Sequence, residues 1–296
     1  MARASNRPIY GIVMMLISMS CIAIVDALGK RVIATMPQLE VVGLYFLIIW
    51  ILSLLYAYAN SVPVRVLVRT EAPFLQFARG MMLVCSLSLL FIALKHLPLA
   101  EATVISFTSP LWVVAFSAPF LGEKVGWQRW AAVGAGLIGA AIVMRPGTEI
   151  FQWMALLPLI GAMFFAGYTI ITRMLAGRDR FETTLFYSFL VGSTVVIGAA
   201  YVVGWQEPTF AEWIQLAGMG ALGMVAHLTM LQSLESADAS LVAPFNYVRI
   251  IWAVVLGYLW FGTTPGMATI IGGGVIVASG LFVLWRETRL KNHLNR

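Results

Sequence analysis

Ten apolar stretches, each of roughly 20 residues, the length that crosses the ~30 Å hydrocarbon core of a bilayer, fill almost all of this 296-residue chain. Inside a bilayer no water satisfies backbone N–H and C=O groups, so only helices and closed barrels can span it. The apolar runs here are continuous and do not alternate, which selects helices. The expected spans are 9–28, 39–60, 72–94, 99–121, 127–145, 152–175, 181–204, 211–235, 240–261 and 266–285. Hydrophobic residues make up 60% of the chain and charged residues 11%, with a mean hydropathy of +0.89, far from a soluble domain with about 25% charge. The basic start, Met1 to Pro8, mimics a signal peptide. The run behind it is too long and lacks a small-residue cleavage pattern, so it reads as an uncleaved first span.

The lysines and arginines set the orientation. With the N-terminus in the cytoplasm, that side holds Arg3, Arg7, Arg65, Arg69, Lys124, Arg129, Arg173, Arg178, Arg180, Arg286, Arg289, Lys291 and Arg296, against Lys30, Arg31, Lys95 and Arg145 outside, 13 to 4. Arg79 and Arg249 fall within spans. The positive-inside rule therefore puts both termini in the cytoplasm and requires an even number of spans. The formal charge of +6 is dispersed over short loops, where it reads as a topology signal and a contact with lipid headgroups rather than a nucleic-acid surface.

The second five spans echo the first. Arg31, Ala34, Glu40 and Tyr45 match Arg173, Ala176, Glu182 and Tyr187 at one spacing. Leu94, Leu97, Ala100, Glu101, Ala102 and Thr103 align with Leu231, Leu234, Ala237, Asp238, Ala239 and Ser240, and after a small gap Gly122, Gly126 and Gly134 align with Gly262, Gly266 and Gly274. Charged and glycine positions match as well as apolar ones, so duplication is preferred over chance. An odd number of spans followed by its copy inverts the copy in the membrane. The expected fold is all-α and integral to the membrane: ten transmembrane helices as two inverted five-helix repeats, residues 1–148 and 149–296, around a central cavity. Inverted repeats of this kind belong to secondary transporters, with the substrate site near mid-membrane.

Ala-Glu-Ala-Thr-Val-Ile-Ser-Phe-Thr-Ser-Pro-Leu-Trp (100–112), Gly-Glu-Lys (122–124) and the glycine-rich span 131–147 carry a resemblance to a known family. Over nearly its whole length the chain resembles the drug/metabolite transporter superfamily, specifically its ten-span EamA-type members. In the second half Asn246-Tyr247-Val248 stands where the first has Pro110, and Gly-Glu becomes Gly262-Thr263. The overall look is closest to aromatic amino acid exporters. The resemblance implies amino acids, aromatic and other neutral ones among them, moving outward across a bacterial inner membrane.

Ionisable groups within spans are costly and by default face the interior or a water-filled cavity. The candidates are Asp26, Arg79, His227 and Arg249. By the ~1.5 Å helical rise, Arg79 lies about 10 Å and Arg249 about 14 Å from the cytoplasmic end of its span. His227 belongs to the same half, while Asp26 falls toward the outer end as a poor partner for either arginine. Either arginine can take a substrate carboxylate by paired hydrogen bonds. The plainer alternative is bonding to helix carbonyls, or snorkelling of Arg79 to the interface, and for Arg79 it is slightly preferred. His227 and Asp26 are candidates for proton coupling, set against a packing histidine and a helix-end carboxylate near Lys30, which are preferred.

Pro110 should kink or open span 99–121, and Ser106 and Ser109 share a face with that break. A harmless kink, satisfied by neighbouring Ser or Thr, is the alternative. Pro158 in span 152–175 invites the same two readings. Tyr45, Tyr187, Trp112 and Trp252 are candidates to line an apolar cavity, with Asn246 and Tyr247 flanking Arg249, although core packing is the commoner role for any one of them. Trp127, Trp130, Trp205 and Trp285 fit interfacial belts.

Gly122-Glu123-Lys124 lacks the spacing and the Ser or Thr of a phosphate loop, and His96, His227 and His293 have no metal-ligand spacing. An enzyme, a bound cofactor and a metal are not expected. Cys21 and Cys85 read as small buried apolar residues. Small-residue rows (Ala131, Ala135, Gly139; Ala132, Gly136, Ala140) and Gly272, Gly273, Gly274, Ala278 and Gly280 allow close helix approach; packing within a monomer is the simpler reading and a homodimer the other. The expected partners are a small-molecule substrate and the lipid bilayer. The alternatives to amino acid export are a proton-coupled exporter of another metabolite or drug, and a membrane receptor or scaffold without transport.

Overall fold

The computed structural model describes the backbone of residues 7–123, 125–146, 153–175 and 178–294. Lys124 of the Gly-Glu-Lys motif, and the boundary between residues 148 and 149, lie outside these residues. The described chain is all helical. It runs α1 (Pro8–Val32), α2 (Gln38–Ala59), the short α3 (Val64–Val68), α4 (Pro73–Leu94), α5 (Leu99–Ser106), α6 (Ser109–Leu121), α7 (Trp127–Met144), α8 (Leu156–Leu175), α9 (Phe181–Val203), α10 (Phe210–Ser236), α11 (Ala239–Val242), α12 (Val248–Phe261) and α13 (Met267–Leu294). Short 3-10 turns cover Trp153–Ala155 and Ala243–Tyr247. Taking α5 with α6, and residues 243–261 together, nine described segments are long and apolar enough to cross a membrane. The remaining segment of this kind, α7, is 18 residues long and opens on Trp127-Gln128-Arg129, which lowers its mean hydropathy.

The most extensive helix contacts join the first five spanning segments to the last five. α1 lies along α10, α4 along α8, α2 along α9 and α7 along α13. The pairs form a twofold pattern: α1 with α10 matches α8 with α4, and α2 with α9 and α7 with α13 sit on the axis. Glycines let the crossings close. An added Cβ on Gly139 would lie 2.8 Å from the Gly272 carbonyl, and one on Gly192 would lie 2.4 Å from the Phe46 ring. The core runs through Phe46, Phe91, Leu94, Phe189, Leu216 and Met219, all buried. Outward, Tyr58, Phe74, Val202, Trp127, Trp130 and Trp285 are exposed, as a lipid-facing surface requires. Trp205 instead stacks on Tyr201 at 4.6 Å.

Span four breaks after Ser106 and resumes at Ser109, with Pro110 in the first turn of α6. Span nine breaks at Ala243–Tyr247, where Pro244 opens the 3-10 turn. The pieces that follow the breaks, α6 and α12, both end on a glycine in the left-handed region, Gly122 (φ 68°) and Gly262 (φ 65°), a conformation that costs other residues their Cβ clearance. Pro158 makes no hinge. It is the third residue of α8, which continues unbroken to Leu175; N–H groups of a first helical turn have no intrahelical partner, so proline is tolerated there. Cys21 and Cys85 are free thiols.

Candidate functional site

The two breaks face each other. Phe107, in the first, packs its ring on Tyr247, at the end of the second, with centroids 5.1 Å apart. In the first break Ser106 and Thr108 turn their hydroxyls back onto the Ala102 and Ile105 carbonyls, each at 2.8 Å. Pro110 has no N–H to return to the Ser106 carbonyl. Ser109 opens α6, half-buried. Asn246 Oδ1, Tyr247 Oη and Trp112 Nε1 are buried with no hydrogen-bond partner. Buried polar atoms are ordinarily paired, so three unpaired ones around two facing helix breaks mark a place where polar groups are kept for something else.

Beside the second break, Arg249 Nε donates to Asp26 Oδ2 at 2.8 Å and Nη2 lies 2.7 Å from the same oxygen. The expectation that Asp26 is a poor partner for either arginine is therefore corrected. It rested on a first span ending at residue 28. α1 runs on to Val32, so Asp26 lies six residues, about 9 Å at the helical rise, inside its helix. The long guanidinium side chain covers the rest of the gap from the start of α12. The pair is largely withdrawn from solvent, with side-chain exposures of 20% for Arg249 and 5% for Asp26. Trp252, one turn on, donates Nε1 to Ser20 Oγ at 2.9 Å, a second tie between α12 and α1. Tyr45 of α2 is buried within electrostatic reach of both Asp26 and Arg249.

Arg79 sits in a separate cluster. Its Nε donates to Thr172 Oγ1 at 2.7 Å, Nη1 to the Thr184 carbonyl at 3.1 Å and to Ser188 Oγ, and Nη2 to Tyr168 Oη at 2.6 Å. The guanidinium also covers the Tyr168 ring at 4.3 Å. Arg79 is 6% exposed, so it does not snorkel; the carbonyl-bonding alternative describes it better, with hydroxyls added. Gln76 nearby donates to Asp179 Oδ2 at 2.7 Å, which also accepts from Thr70 Oγ1 at 2.6 Å. His227 packs edge-on against Phe189 at 5.1 Å, within electrostatic reach of Arg79. Tyr187 does not join either cluster: its hydroxyl donates to the Val68 carbonyl of α3 at 2.8 Å, because α3 intervenes where no span was expected.

Residues missed by the sequence reading are Ser20, Phe107, Tyr168, Thr172, Thr184 and Ser188. Tyr168 had a signal. At the 142-residue spacing of Arg31 and Arg173 it stands opposite Asp26, and both positions receive a guanidinium. Among the described residues no group of His, Cys, Asp and Glu could hold a metal ion.

A helical membrane bundle whose paired spans break where unpaired polar atoms and a buried ion pair gather defines a membrane carrier. The chain belongs to the EamA-like transporter family, whose model matches twice, over residues 9–145 and 152–285. It is 30% identical to a riboflavin transporter of Rhizobium johnstonii over 75% of this chain and 73% of that protein. It is likewise 30% identical to an S-adenosylmethionine uptake transporter of Rickettsia bellii, over 75% and 76%. A pseudopaline exporter of Pseudomonas aeruginosa is 27% identical over 91% of this chain and 94% of the other. A solved crystal structure superposes with a TM-score of 0.66 at 21% identity, covering 96% of this chain and 99% of that one, which shows the fold. The protein is thus a multi-pass membrane transporter of the drug/metabolite superfamily and not an enzyme, and the receptor or scaffold alternative falls away.

Proposed function

We propose that this protein exports amino acids, aromatic and other neutral ones among them, or related small metabolites across a bacterial inner membrane by alternating access. Residues 1–148 and 149–296 act as two inverted five-helix halves, and both termini are cytoplasmic. The observation that carries the reading is the pair of facing helix breaks, with Phe107 against Tyr247 and the unpaired Asn246 Oδ1, Tyr247 Oη and Trp112 Nε1 around them. Broken helices at mid-depth are where carriers of this architecture place substrate. Aromatic faces suit a ring or apolar side chain, and the unpaired atoms suit its polar groups. The twofold pattern of helix contacts supports the two-half description. The excess of cations on one side, 13 to 4, supports the orientation. Arg79, whose bonds are filled by protein groups, fits a structural tie better than a substrate contact.

A second reading has support in the relatives, which are named for riboflavin, S-adenosylmethionine and pseudopaline, two of them for transport or uptake and one for export. On that reading the cargo is a larger ring-bearing metabolite. The deciding experiment is counterflow into liposomes holding the purified protein, using radiolabelled amino acids, riboflavin and S-adenosylmethionine, with and without a pH gradient. Saturable amino acid movement supports the first reading. Movement of riboflavin or S-adenosylmethionine alone replaces it with the second, and the gradient comparison decides proton coupling.

A further inference from the structure

Arg249 uses only one of its two edges. Nε and Nη2 both point to Asp26 Oδ2, while among the described residues no protein group bonds Arg249 Nη1 or Asp26 Oδ1. A guanidinium offers a second, end-on edge, Nη1 with Nη2, that matches a carboxylate in a bidentate fork. Asp26 Oδ1 is the complementary acceptor beside it. The pair therefore shows an ammonium-seeking oxygen and a carboxylate-seeking edge side by side. Along the chain Arg249 follows the unpaired Asn246 and Tyr247 of the second break by three and two residues.

We propose that Asp26 and Arg249 together receive the two charges of a zwitterion: the substrate carboxylate on the free Nη1/Nη2 edge of Arg249, and its ammonium on Oδ1 of Asp26. This rests on the carrier reading above and names the chemical class of its substrate. Charge balance favours it. The empty pair is neutral, and a zwitterion adds no net charge, so neither the empty nor the loaded carrier holds an uncompensated charge in the membrane interior, where one is expensive. A simple anion or cation in the same place leaves one. In the empty state the pair satisfies itself, which keeps α1 against α12 until a substrate of the right charge pattern arrives. The Trp252–Ser20 bond joins the same two helices and holds them in register while the pair changes partners. Arg79 offers no such site, because its bonds go to three hydroxyls and a carbonyl, none of them a carboxylate.

The test uses the full chain in liposomes and counterflow of radiolabelled phenylalanine, with competition by N-acetylphenylalanine, which keeps only the carboxylate, and by phenylalanine methyl ester, which keeps only the ammonium. The expected result is that phenylalanine competes and each blocked analogue is weaker by about a hundredfold or more, because a site built to bond a group rejects the analogue that lacks it. Arg249→Lys, which keeps the charge but loses the fork, should raise KM about tenfold or more. Asp26→Asn should narrow the gap between phenylalanine and its N-acetyl form. Equal competition by all three compounds in the wild type overturns the proposal, without reference to any variant. So does a loss in both variants that lowers thermal stability and rate alike while leaving the ranking of analogues unchanged. Movement of labelled riboflavin with no movement of any amino acid overturns the zwitterion site and leaves the carrier reading standing; no movement of any probe by folded protein brings down both.

Discussion

Trp112 and Trp252 sit one turn into the two helices that resume after the breaks, and only Trp252 has a partner for its indole N–H, Ser20 Oγ at 2.9 Å. Trp112 Nε1 is buried with none. The difference traces to one residue. At the 142-residue spacing that relates Arg31 to Arg173, Ser20 corresponds to Ala162, whose side chain offers no acceptor.

That asymmetry predicts opposite outcomes for the same substitution. Trp252→Phe should cost about 0.5–1.5 kcal/mol, the net worth of one hydrogen bond, read as a lower melting temperature in detergent. Trp112→Phe removes an unpaired donor and should leave stability unchanged or higher. It should raise the KM of transport, since the free N–H is then no longer available to substrate.

Gly280→Ala tests the stack at the breaks. Its Cβ would lie 2.1 Å from Tyr247 Oη, so the Tyr247 side chain, which stacks on Phe107, has to shift. A cost of about 1–3 kcal/mol is expected for overpacking of this kind, together with a loss of transport that Tyr247→Phe, which spares the ring, should not reproduce in full. Counterflow on both variants, at matched folded protein, separates them.

Arg79→Met should weaken the tie between α4, α8 and α9 by about 1–3 kcal/mol while changing KM by less than about twofold, the mark of a structural contact. Thr172 and Ser188 keep their own bonds to the Tyr168 and Thr184 carbonyls, at 2.6 and 2.7 Å, so these two hydroxyls are not orphaned, and only Tyr168 Oη loses its partner. A large rise in KM with unchanged stability would place Arg79 in the substrate path.

Lys30 ties three spans at one end of the bundle. Its Nζ donates to the Leu94 carbonyl and, at 2.7 Å, to that of Leu97, and it lies 5.5 Å from the centre of the Phe261 ring. A cation at the end of α4 is favourably placed against the helix dipole. Lys30→Met, which keeps the stem, should cost about 1–2 kcal/mol and increase hydrogen exchange at residues 94–97.

Much of the architecture was legible, because a bilayer reduces the choice to long apolar helices and their ends are marked by polar residues. The helices fall within a few residues of the expected spans, except that α13 runs on to Leu294, nine residues past the expected end at 285, and the break at Pro110 follows from its missing N–H. The second break is less legible, because the proline that opens it, Pro244, does not stand at the position matching Pro110, which holds Asn246-Tyr247-Val248. The Asp26–Arg249 pair was illegible for a metric reason: counting depth from a helix end placed four residues too early moved Asp26 out of reach. The Arg79 cluster was illegible for a chemical one. Its acceptors are Thr172, Ser188, Tyr168 and a backbone oxygen, groups that carry no charge, and of these only Tyr168, opposite Asp26 in the repeat, has a spacing by which the sequence announces it.

The crosswise packing of α1 on α10 and of α4 on α8 has a consequence for how the chain is made. Synthesis delivers α1 to the membrane some 200 residues before α10. Until then the face of α1 bearing Ser18 and Asp26 has neither the Ala226 carbonyl nor Arg249 to bond. The early helices must wait in the lipid or in the insertion machinery with polar groups uncovered, and assembly is completed only by the last helices to arrive. A chain stopped halfway is therefore not a smaller carrier but a client for quality control, and two halves supplied separately should survive only when made together.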